Sequence, residues 1–385
     1  MITLKTFLEQ KPLFYAHIDY DRFPHIYQRI ASYFTLPKII HIVGTNGKGT
    51  TGRFLAQMLH AQGLHVGHYT SPHILRFNER VWIDGKEASD KALEKAHKWL
   101  FECLREDEKN DLSYFEYTTL LAMRLFCQTC EYVVLEAGLG GEFDATNVFS
   151  KILSIITPIG YDHEAFLGNT IEAIATTKLK SIQTDFILAK QRYEEVNGIA
   201  KKIALEKKVR CMDLHTLLQP QRLEDIDNYT LQEGYPPFLR ENFFTAYSAL
   251  TFLGYDMKPE RIKIPVLSGR FQKFLPNVTL DVGHNPLAAE AILRALGKKK
   301  VVLIYNSYAD KEYEAILTLL KPVMKRLEII AIDSPRAVDT TRLEEVARGL
   351  KIPISRYTKI DNNEEYVVFG SFSVVEAFLR RYHEK

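Results

Sequence analysis

The sequence of 385 residues has few cysteines, almost no excess of one charge and no long apolar run. Its four cysteines are too few and too scattered to cross-link a small secreted fold. Fifty basic residues against 48 acidic ones leave a net charge of +2, which gives no indication of a nucleic-acid or anionic-membrane partner. No stretch of about 18 apolar residues is present, and the N-terminus lacks the apolar segment of a signal peptide. We therefore expect a reduced, soluble, cytoplasmic protein.

The length and the apolar pattern indicate an α/β protein of more than one domain. At ~150 residues per domain the chain has room for two or three. Short apolar runs alternate with amphipathic stretches from about residue 37, which is typical of βαβ units. The charged stretch at 255–265 contains two prolines, so we predict a joint there and domains at 1–262 and 263–385. In the first domain a helix is predicted at 50–63, and strands at 39–44, 65–70, 132–138, 151–160 and 185–190.

The second domain repeats the alternation on a smaller scale. Four apolar runs predict strands, at 278–282, 300–307, 327–333 and 366–371. Four amphipathic stretches predict helices, at 286–296, 312–326, 341–350 and 373–382. This pattern favours a small doubly wound, Rossmann-like domain, and a ligand is expected in the cleft between two such domains.

The strongest local pattern lies between the first predicted strand and helix. It consists of Gly44, Thr45, Asn46, Gly47, Lys48, Gly49, Thr50 and Thr51. Glycines let backbone N–H groups point at phosphate oxygens, a helix N-terminus adds positive charge, and a lysine there can reach the β- and γ-phosphates. The alternative is an ordinary glycine-rich turn. The extra glycine between the lysine and the hydroxyl residue departs from the usual P-loop spacing.

This loop resembles the nucleotide loop of the Mur ligase superfamily, in particular that of the folylpolyglutamate and dihydrofolate synthases. Further matching segments follow in order, at 70–73 (TSPH), 77–80 (FNER), 113–116 (SYFE), 136–141 (EAGLGG), 144–147 (DATN), 162–168 (DHEAFLG), 269–270 (GR), 281–286 (DVGHNP) and 310–311 (DK). The resemblance implies a P-loop-containing, Mur-ligase-like ATPase domain followed by a smaller Rossmann-like α/β domain. It also implies an ATP-dependent amide ligase that adds L-glutamate to dihydropteroate or to the glutamate tail of reduced folates, via an acyl phosphate.

A metal site is predicted around Glu136. This residue ends an apolar strand, where α/β proteins place ligand-binding groups, and Mg²⁺ prefers oxygen ligands. A solvated acid at a strand end is the alternative, which the following Gly-Leu-Gly-Gly makes less favourable. The resemblance implies that Ser71 and His163 are the other metal ligands.

Lys178 lies 15 positions after His163, the separation at which the family carries a lysine modified by CO₂ to a carbamate. The resemblance thus implies a modified Lys178 that helps to hold a second Mg²⁺, and Lys48, His163 and Lys178 as the catalytic groups. Lys180 stays an alternative for the modified lysine.

The resemblance also assigns nucleotide and pterin contacts. Asn242 would meet the adenine, Arg270 a phosphate, Asp281 a ribose hydroxyl and His284 the phosphate side. The pterin or folate contacts would be Asp19, Tyr20, Ser113, Phe143, Asp144 and Ala145.

The implied cofactors are ATP and Mg²⁺ at two sites, with a monovalent cation left open. The expected partners are small molecules (dihydropteroate or folate, L-glutamate and ATP), with no nucleic acid and no membrane, and we expect a monomer. Two other functions stay open, namely a Mur-type ligase acting on a UDP-sugar peptide and a non-catalytic nucleotide-binding protein. The sequence leaves open which of the two folate activities dominates.

Overall fold

A computed structural model describes residues 2–12, 19–261 and 267–383. The chain divides into two compact units, one of Met1–Glu233 with Glu241–Ile264 and one of Gly234–Arg240 with Pro265–Lys385. The predicted domain boundary at 262 and 263 falls outside the described residues. Among the described helices, none is long and apolar enough to span a membrane.

The first unit is built on an eight-stranded sheet of order β4-β3-β2-β5-β1-β6-β7-β8. Its strands are β1 Lys38–Val43, β2 Val66–Tyr69, β3 Val81–Ile83, β4 Lys86–Glu87, β5 Tyr132–Glu136, β6 Leu153–Ile156, β7 Phe186–Leu188 and β8 Cys211–Asp213. Six of them pair in parallel, whereas β3 and β4 pair antiparallel. All five strands predicted for this unit are present. The strands β3, β4 and β8 were not predicted.

This unit has twelve described α-helices, several of which pack on the sheet through clusters of buried apolar side chains. They are α1 Leu4–Glu9, α2 Arg22–Ile30, α3 Lys48–Ala61, α4 Asp90–Cys103, α5 Glu106–Asp111, α6 Tyr114–Thr129, α7 Glu164–Leu167, α8 Ile171–Leu179, α9 Glu194–Lys207, α10 Leu214–Leu217, α11 Pro220–Gln232 and α12 Pro237–Phe252. Ser113 begins α6 with a reciprocal cap, because its hydroxyl accepts from the Glu116 N–H at 3.1 Å and its own N–H donates to the Glu116 carboxylate at 2.7 Å.

The second unit has a six-stranded sheet of order β13-β12-β11-β14-β10-β9, parallel except for β9. Its strands are β9 Gln272–Leu275, β10 Val278–Leu280, β11 Val301–Tyr305, β12 Met324–Ile329, β13 Ile354–Arg356 and β14 Tyr366–Phe369. Its helices are α13 Pro286–Leu296, α14 Tyr313–Leu320, α15 Thr340–Gly349 and α16 Phe372–His383.

Two predictions for this unit are wrong. The expected four strands omit β9 and β13, which are short and only partly buried. The helix predicted at 312–326 ends at Leu320, because Pro322 lacks a backbone N–H and cannot continue an α-helix. Met324 already belongs to β12 and pairs with Val301.

The register of the first sheet brings several strand ends together. Ile42 pairs with Glu136 on one side and with Ile155 on the other, and Tyr69 pairs with Leu135. The loops after β1, β2, β5 and β6 therefore leave the same edge, on both sides of β1. In open parallel sheets this is where ligands bind.

Candidate active site

The glycine-rich loop after β1 is anchored to the loop that follows β6. The N–H groups of Thr45 and Asn46 both donate to the Pro158 carbonyl, at 2.9 and 3.1 Å. Gly47 has φ of 84°, and a Cβ at this position would lie 2.6 Å from Oδ1 of Asn242. Only glycine combines this conformation with this approach, after which α3 begins at Lys48. The structure thus places Asn242 against the predicted phosphate loop.

Two lysine amines converge on one backbone carbonyl of this loop. Lys48 Nζ donates to Gly44 O at 3.2 Å, and Lys178 Nζ donates to the same oxygen at 3.1 Å. Lys178 is only 4% exposed. Burial, followed by the positive charge of Lys48, lowers the pKa of Lys178 to about 7.

Glu136 lies beside these amines at the end of β5. Its Oε1 is 4.0 Å from Lys48 Nζ. Its Oε2 accepts hydrogen bonds from the Thr70 hydroxyl and, at 3.3 Å, from the Ser71 N–H. The side chain is buried, so these donors compensate a carboxylate that has little access to water. No role was predicted for Thr70, although this residue is the first of the matched TSPH segment.

The predicted metal ligands come from three loops. Ser71 and Glu136 are neighbours, and a hydroxyl with a carboxylate provides the oxygen donors that Mg²⁺ prefers. His163 begins α7 with φ of 55°, and its Nε2 lies 3.9 Å from Oδ1 of Asp162. Over the described ranges, no group of three or more His, Cys, Asp or Glu side chains is arranged to hold a metal ion. The predicted set contains only two such side chains, and its oxygen donors fit Mg²⁺.

The loop between β5 and β6 packs closely on the end of α8. A Cβ at Gly141 would lie 2.6 Å from the Lys178 carbonyl oxygen, and the Glu142 N–H donates to Thr177 O at 3.1 Å. Lys180, the alternative candidate for the modified lysine, is not buried as Lys178 is. Its side chain is 50% exposed and its Nζ lies 3.5 Å from Oε2 of Glu142.

Asp144 points into this loop. Its Oδ2 accepts from the Leu139 N–H at 2.7 Å and its Oδ1 from the Thr146 N–H at 2.9 Å. Burial raises the pKa of Asp144, and these hydrogen bonds act in the opposite direction. Ala145, the next residue, is buried at the start of a 3₁₀ turn.

Two of the predicted pterin contacts form an exposed aromatic pair. The rings of Tyr20 and Phe143 are 4.2 Å apart between centroids, and these residues are 48% and 52% exposed. Asp19 accepts from the N–H groups of Asp21 and Arg22, each at 3.0 Å, and so shapes the turn before α2. Ile18, the residue before Asp19, lies outside the described residues.

The second unit brings its own predicted residues to one end of its sheet. Asp281 follows β10, and its carboxylate accepts from the Gly283 and Phe271 N–H groups at 2.8 and 2.9 Å. His284 Nδ1 is 3.1 Å from Val282 O. The Arg270 guanidinium lies 4.9 Å from the centroid of the Phe372 ring.

The chain is similar to known glutamate ligases along most of its length, although no protein-family model matches it. It is 32% identical to the dihydrofolate synthase/folylpolyglutamate synthase of Escherichia coli over 327 residues, covering 80% of this chain and 76% of that one. It is 29% identical to the Haemophilus influenzae protein of the same name, covering 97% and 95%.

Solved structures agree with these relatives. The crystal structure of Helicobacter pylori folylpolyglutamate synthetase has a TM-score of 0.77 and 39% identity, covering 99% of this chain and 98% of that one. A bifunctional folylpolyglutamate synthase/dihydrofolate synthase with Mn, AMPPNP and L-glutamate bound has a TM-score of 0.81 and 25% identity, with the same coverage.

The fold is therefore the two-domain fold of the Mur-type ligases, and the protein is an ATP-dependent ligase. More narrowly, the chain belongs to the dihydrofolate synthase/folylpolyglutamate synthase family. Its reaction is the ATP-dependent addition of L-glutamate to a folate-type acceptor.

Proposed function

We propose that this protein joins the amino group of L-glutamate to a carboxylate of dihydropteroate or of the glutamate tail of a reduced folate. The observation that carries this is the convergence of Lys48, Lys178 and Glu136 on the loop that begins at Gly44. A site for phosphoryl transfer needs groups of this kind beside a glycine-rich loop that leads into a helix. Here they are the Lys48 cation, the buried Lys178 amine and the Glu136 carboxylate.

The nucleotide is bound by the loop of residues 44–51. The start of α3 faces the phosphates, whereas the Thr45 and Asn46 N–H groups anchor the loop to Pro158. Lys48 balances the charge of the γ-phosphoryl group. Asn242, which abuts Gly47, contacts the adenine. The family resemblance further assigns phosphate and ribose contacts to Arg270, Asp281 and His284.

Ser71, Glu136 and His163 would hold Mg²⁺, which supplies charge neutralisation for phosphoryl transfer. Lys178 becomes a carbamate when its neutral amine attacks CO₂, forming an N–C bond and releasing one proton. Its burial and its lowered pKa support this assignment, because the ammonium form cannot react. The anionic product would help to hold a second Mg²⁺, and a monovalent cation is a further candidate cofactor.

The reaction has two steps. A carboxylate oxygen of the acceptor attacks the γ-phosphorus, the bond to the bridging oxygen of ADP breaks, and an acyl phosphate results. The neutral amine of glutamate then attacks the acyl carbon, the C–O bond to phosphate breaks, and the amine loses a proton as the amide forms. Lys48 faces the γ-phosphoryl group during its transfer. Most of the rate acceleration comes from positioning the reactants and from electrostatic stabilisation of the transition state.

The acceptor lies against the aromatic pair of Tyr20 and Phe143. Their exposed rings contact each other with planes inclined by 35°, and together they offer an apolar surface on which a pterin stacks. Ser113, Asp19, Asp144 and Ala145 shape the neighbouring backbone.

The test is phosphate release from ATP with L-glutamate and either dihydropteroate or a reduced folate. We expect release that depends on both the acceptor and glutamate, with one amide formed per phosphate. Lys48→Ala should remain folded and lose activity by about 10³-fold or more. Exposed Lys202→Ala, in α9, serves as the matched control. No acceptor-dependent release with either substrate would contradict the proposal.

We further propose a cytoplasmic monomer with small-molecule partners only. The four cysteines are all free, as a reducing compartment requires. Gel filtration with light scattering gives the mass, and a dimer at micromolar concentration would contradict this part.

A further inference from the structure

A buried amine lies behind the loop that carries Phe143, and neither the family resemblance nor the reaction assigns it a role. Lys151 precedes β6 and is 6% exposed. Its Nζ donates to Oδ1 of Asn147, lies 3.3 Å from His41 Nδ1 and donates to Ser181 O at 3.3 Å. Three acceptors match the three N–H groups of an ammonium.

From Lys151 a chain of hydrogen bonds runs to Asp144. His41 Nε2 is 2.7 Å from the Thr146 hydroxyl, and that hydroxyl donates to Asp144 Oδ1 at 2.6 Å. Below pH 7 Lys151 is an ammonium, which can only donate, so His41 Nδ1 accepts and Nε2 carries the proton. Burial and the Lys151 charge hold the pKa of His41 well below its usual value, so the ring is neutral.

The chain connects three parts of the site. Asp144 accepts a hydrogen bond from the Leu139 N–H, and the Asn147 side-chain amide donates to Glu142 O at 2.8 Å. Both ends of the loop of residues 138–147 are therefore fixed. Ser181, on the other side, donates its hydroxyl to the Lys178 carbonyl at 2.6 Å. Lys151 is thus the point at which β1, the loop of residues 138–147 and the end of α8 are joined.

We propose that Lys151 is a positioning residue for acceptor binding, which sets the conformation of the 138–147 loop through His41, Thr146 and Asp144. The assignment of the loop's ligand rests on the proposed function, since Phe143 is the acceptor contact on this loop. Lys151 itself touches no substrate.

Lys207 provides a matched comparison. Its amine also donates to carbonyls of the turn after α8, to Lys180 O and, at 2.7 Å, to Ile182 O. No described contact joins it to His41, Thr146 or Asp144. Its positive charge does help to lower the pKa of Lys151. Loss of its amine therefore perturbs the same turn and the Lys151 pKa, but removes none of the hydrogen bonds from Lys151 to Asp144.

The experiment compares Lys151→Met and Lys207→Met in the full-length protein. We expect Lys151→Met to raise KM for dihydropteroate or the reduced folate by about tenfold or more, with KM for ATP nearly unchanged, because misplacing a binding loop by a fraction of an ångström weakens contacts made there. Lys207→Met should leave both KM values near those of the parent. An unchanged acceptor KM in Lys151→Met, or an equal rise in both variants, would overturn the proposal.

A second measurement does not depend on activity. In the unsubstituted protein, ¹⁵N NMR should show neutral His41 as the Nε2–H tautomer, its signal identified by its loss in His41→Gln. The measurement is made at pH 6, where Lys151 is protonated. Lys151→Met should shift the His41 signal more than Lys207→Met does, because Lys207 acts on the ring only through its charge on Lys151. The Nδ1–H tautomer, or a protonated ring at this pH, would overturn the proposal even if Lys151→Met does not fold. Absent ligase activity in a protein with the expected tautomer would instead contradict the proposed function.

Discussion

Lys48 and Lys178 share the carbonyl of Gly44, and two ammonium groups at one oxygen repel each other. The buried member of the pair is the one that gives up its proton more easily, since Lys178 lacks the solvent that would stabilise its charge. Lys180 differs in that its amine reaches solvent and pairs with Glu142. Neighbouring lysines of the same helix end therefore differ in chemistry.

At this scale we expect Lys178→Ala to be nearly inactive and Lys180→Ala to keep most of its activity. A short carboxylate added in solution should restore part of the Lys178→Ala activity, because it replaces the anion that the carbamate supplies. Equilibration with ¹³C-bicarbonate should give a carbamate signal in the parent and in Lys180→Ala, and none in Lys178→Ala. A signal lost only in Lys180→Ala would move the modification to that residue.

At the scale of elements, the active site depends on how closely one loop approaches one helix end. Gly141 lies against the backbone of Lys178, and Gly138 against the Phe115 ring, with no room for a Cβ at either. The loop that follows Glu136 therefore approaches the end of α8 through Gly141 and the Phe115 ring of α6 through Gly138, at positions that have no side chain.

Gly141→Ala tests this contact. Its Cβ would be 2.6 Å from the Lys178 carbonyl oxygen and 3.0 Å from the Lys178 Cα, so the end of α8 must move away. We expect a loss of about 1–3 kcal/mol in stability, as for other overpacked sites, and a loss of activity larger than the stability change explains. Urea denaturation and steady-state kinetics measure the two.

The control is Gly198→Ala within α9, where a Cβ would have no heavy atom within 4 Å. This change should stabilise the protein by about 0.5–1 kcal/mol, because alanine favours the helix, and leave kcat and KM unchanged. Similar losses of activity in the two variants would show that the contact at Gly141 has no special importance.

At the scale of the whole molecule, buried lysines make the stability depend on pH. Burial lowers the pKa of Lys151 to about 7, Asp144 opposes the shift and Lys207 adds to it. In the unfolded chain this lysine has its ordinary, higher pKa. Above pH 7 the unfolded state therefore binds one more proton than the folded state, so this group makes the protein more stable as pH rises, by up to about 1.4 kcal/mol per pH unit.

The difference between the parent and Lys151→Met isolates this effect. Below pH 7 the difference in unfolding free energy should be constant, and from pH 7 to pH 9 the parent should gain stability relative to the variant. The groups that act on Lys151 are Asp144, whose pKa is raised by burial, and Lys207, whose pKa is lowered by burial, and both are retained in the variant. Urea denaturation of the first unit at pH 6, 7, 8 and 9 measures the gain. A constant difference over all four pH values would mean that Lys151 keeps an ordinary pKa.

Local sequence alone determined the central strands, the glycine-rich loop and the order of the matched segments. Apolar runs such as residues 39–44 make buried strands wherever they pack, and the glycines at 44 and 47 permit a backbone that other residues resist. The short edge strands β9 and β13 and the end of α14 were missed or misplaced, because partly buried edges carry little periodicity and Pro322 interrupts an otherwise helical pattern.

Only the tertiary structure decided what the polar residues contact. Lys178 and Gly44 are 134 positions apart, and Lys151 and His41 are 110 apart, so no local pattern distinguishes Lys178 from Lys180 or gives Lys151 its partners. Asp144 was predicted as a pterin contact, and the fold directs its carboxylate to the backbone of its own loop. Burial and hydrogen bonding between distant segments set the charge and orientation of these groups, and they exist only once the sheet has brought the segments together.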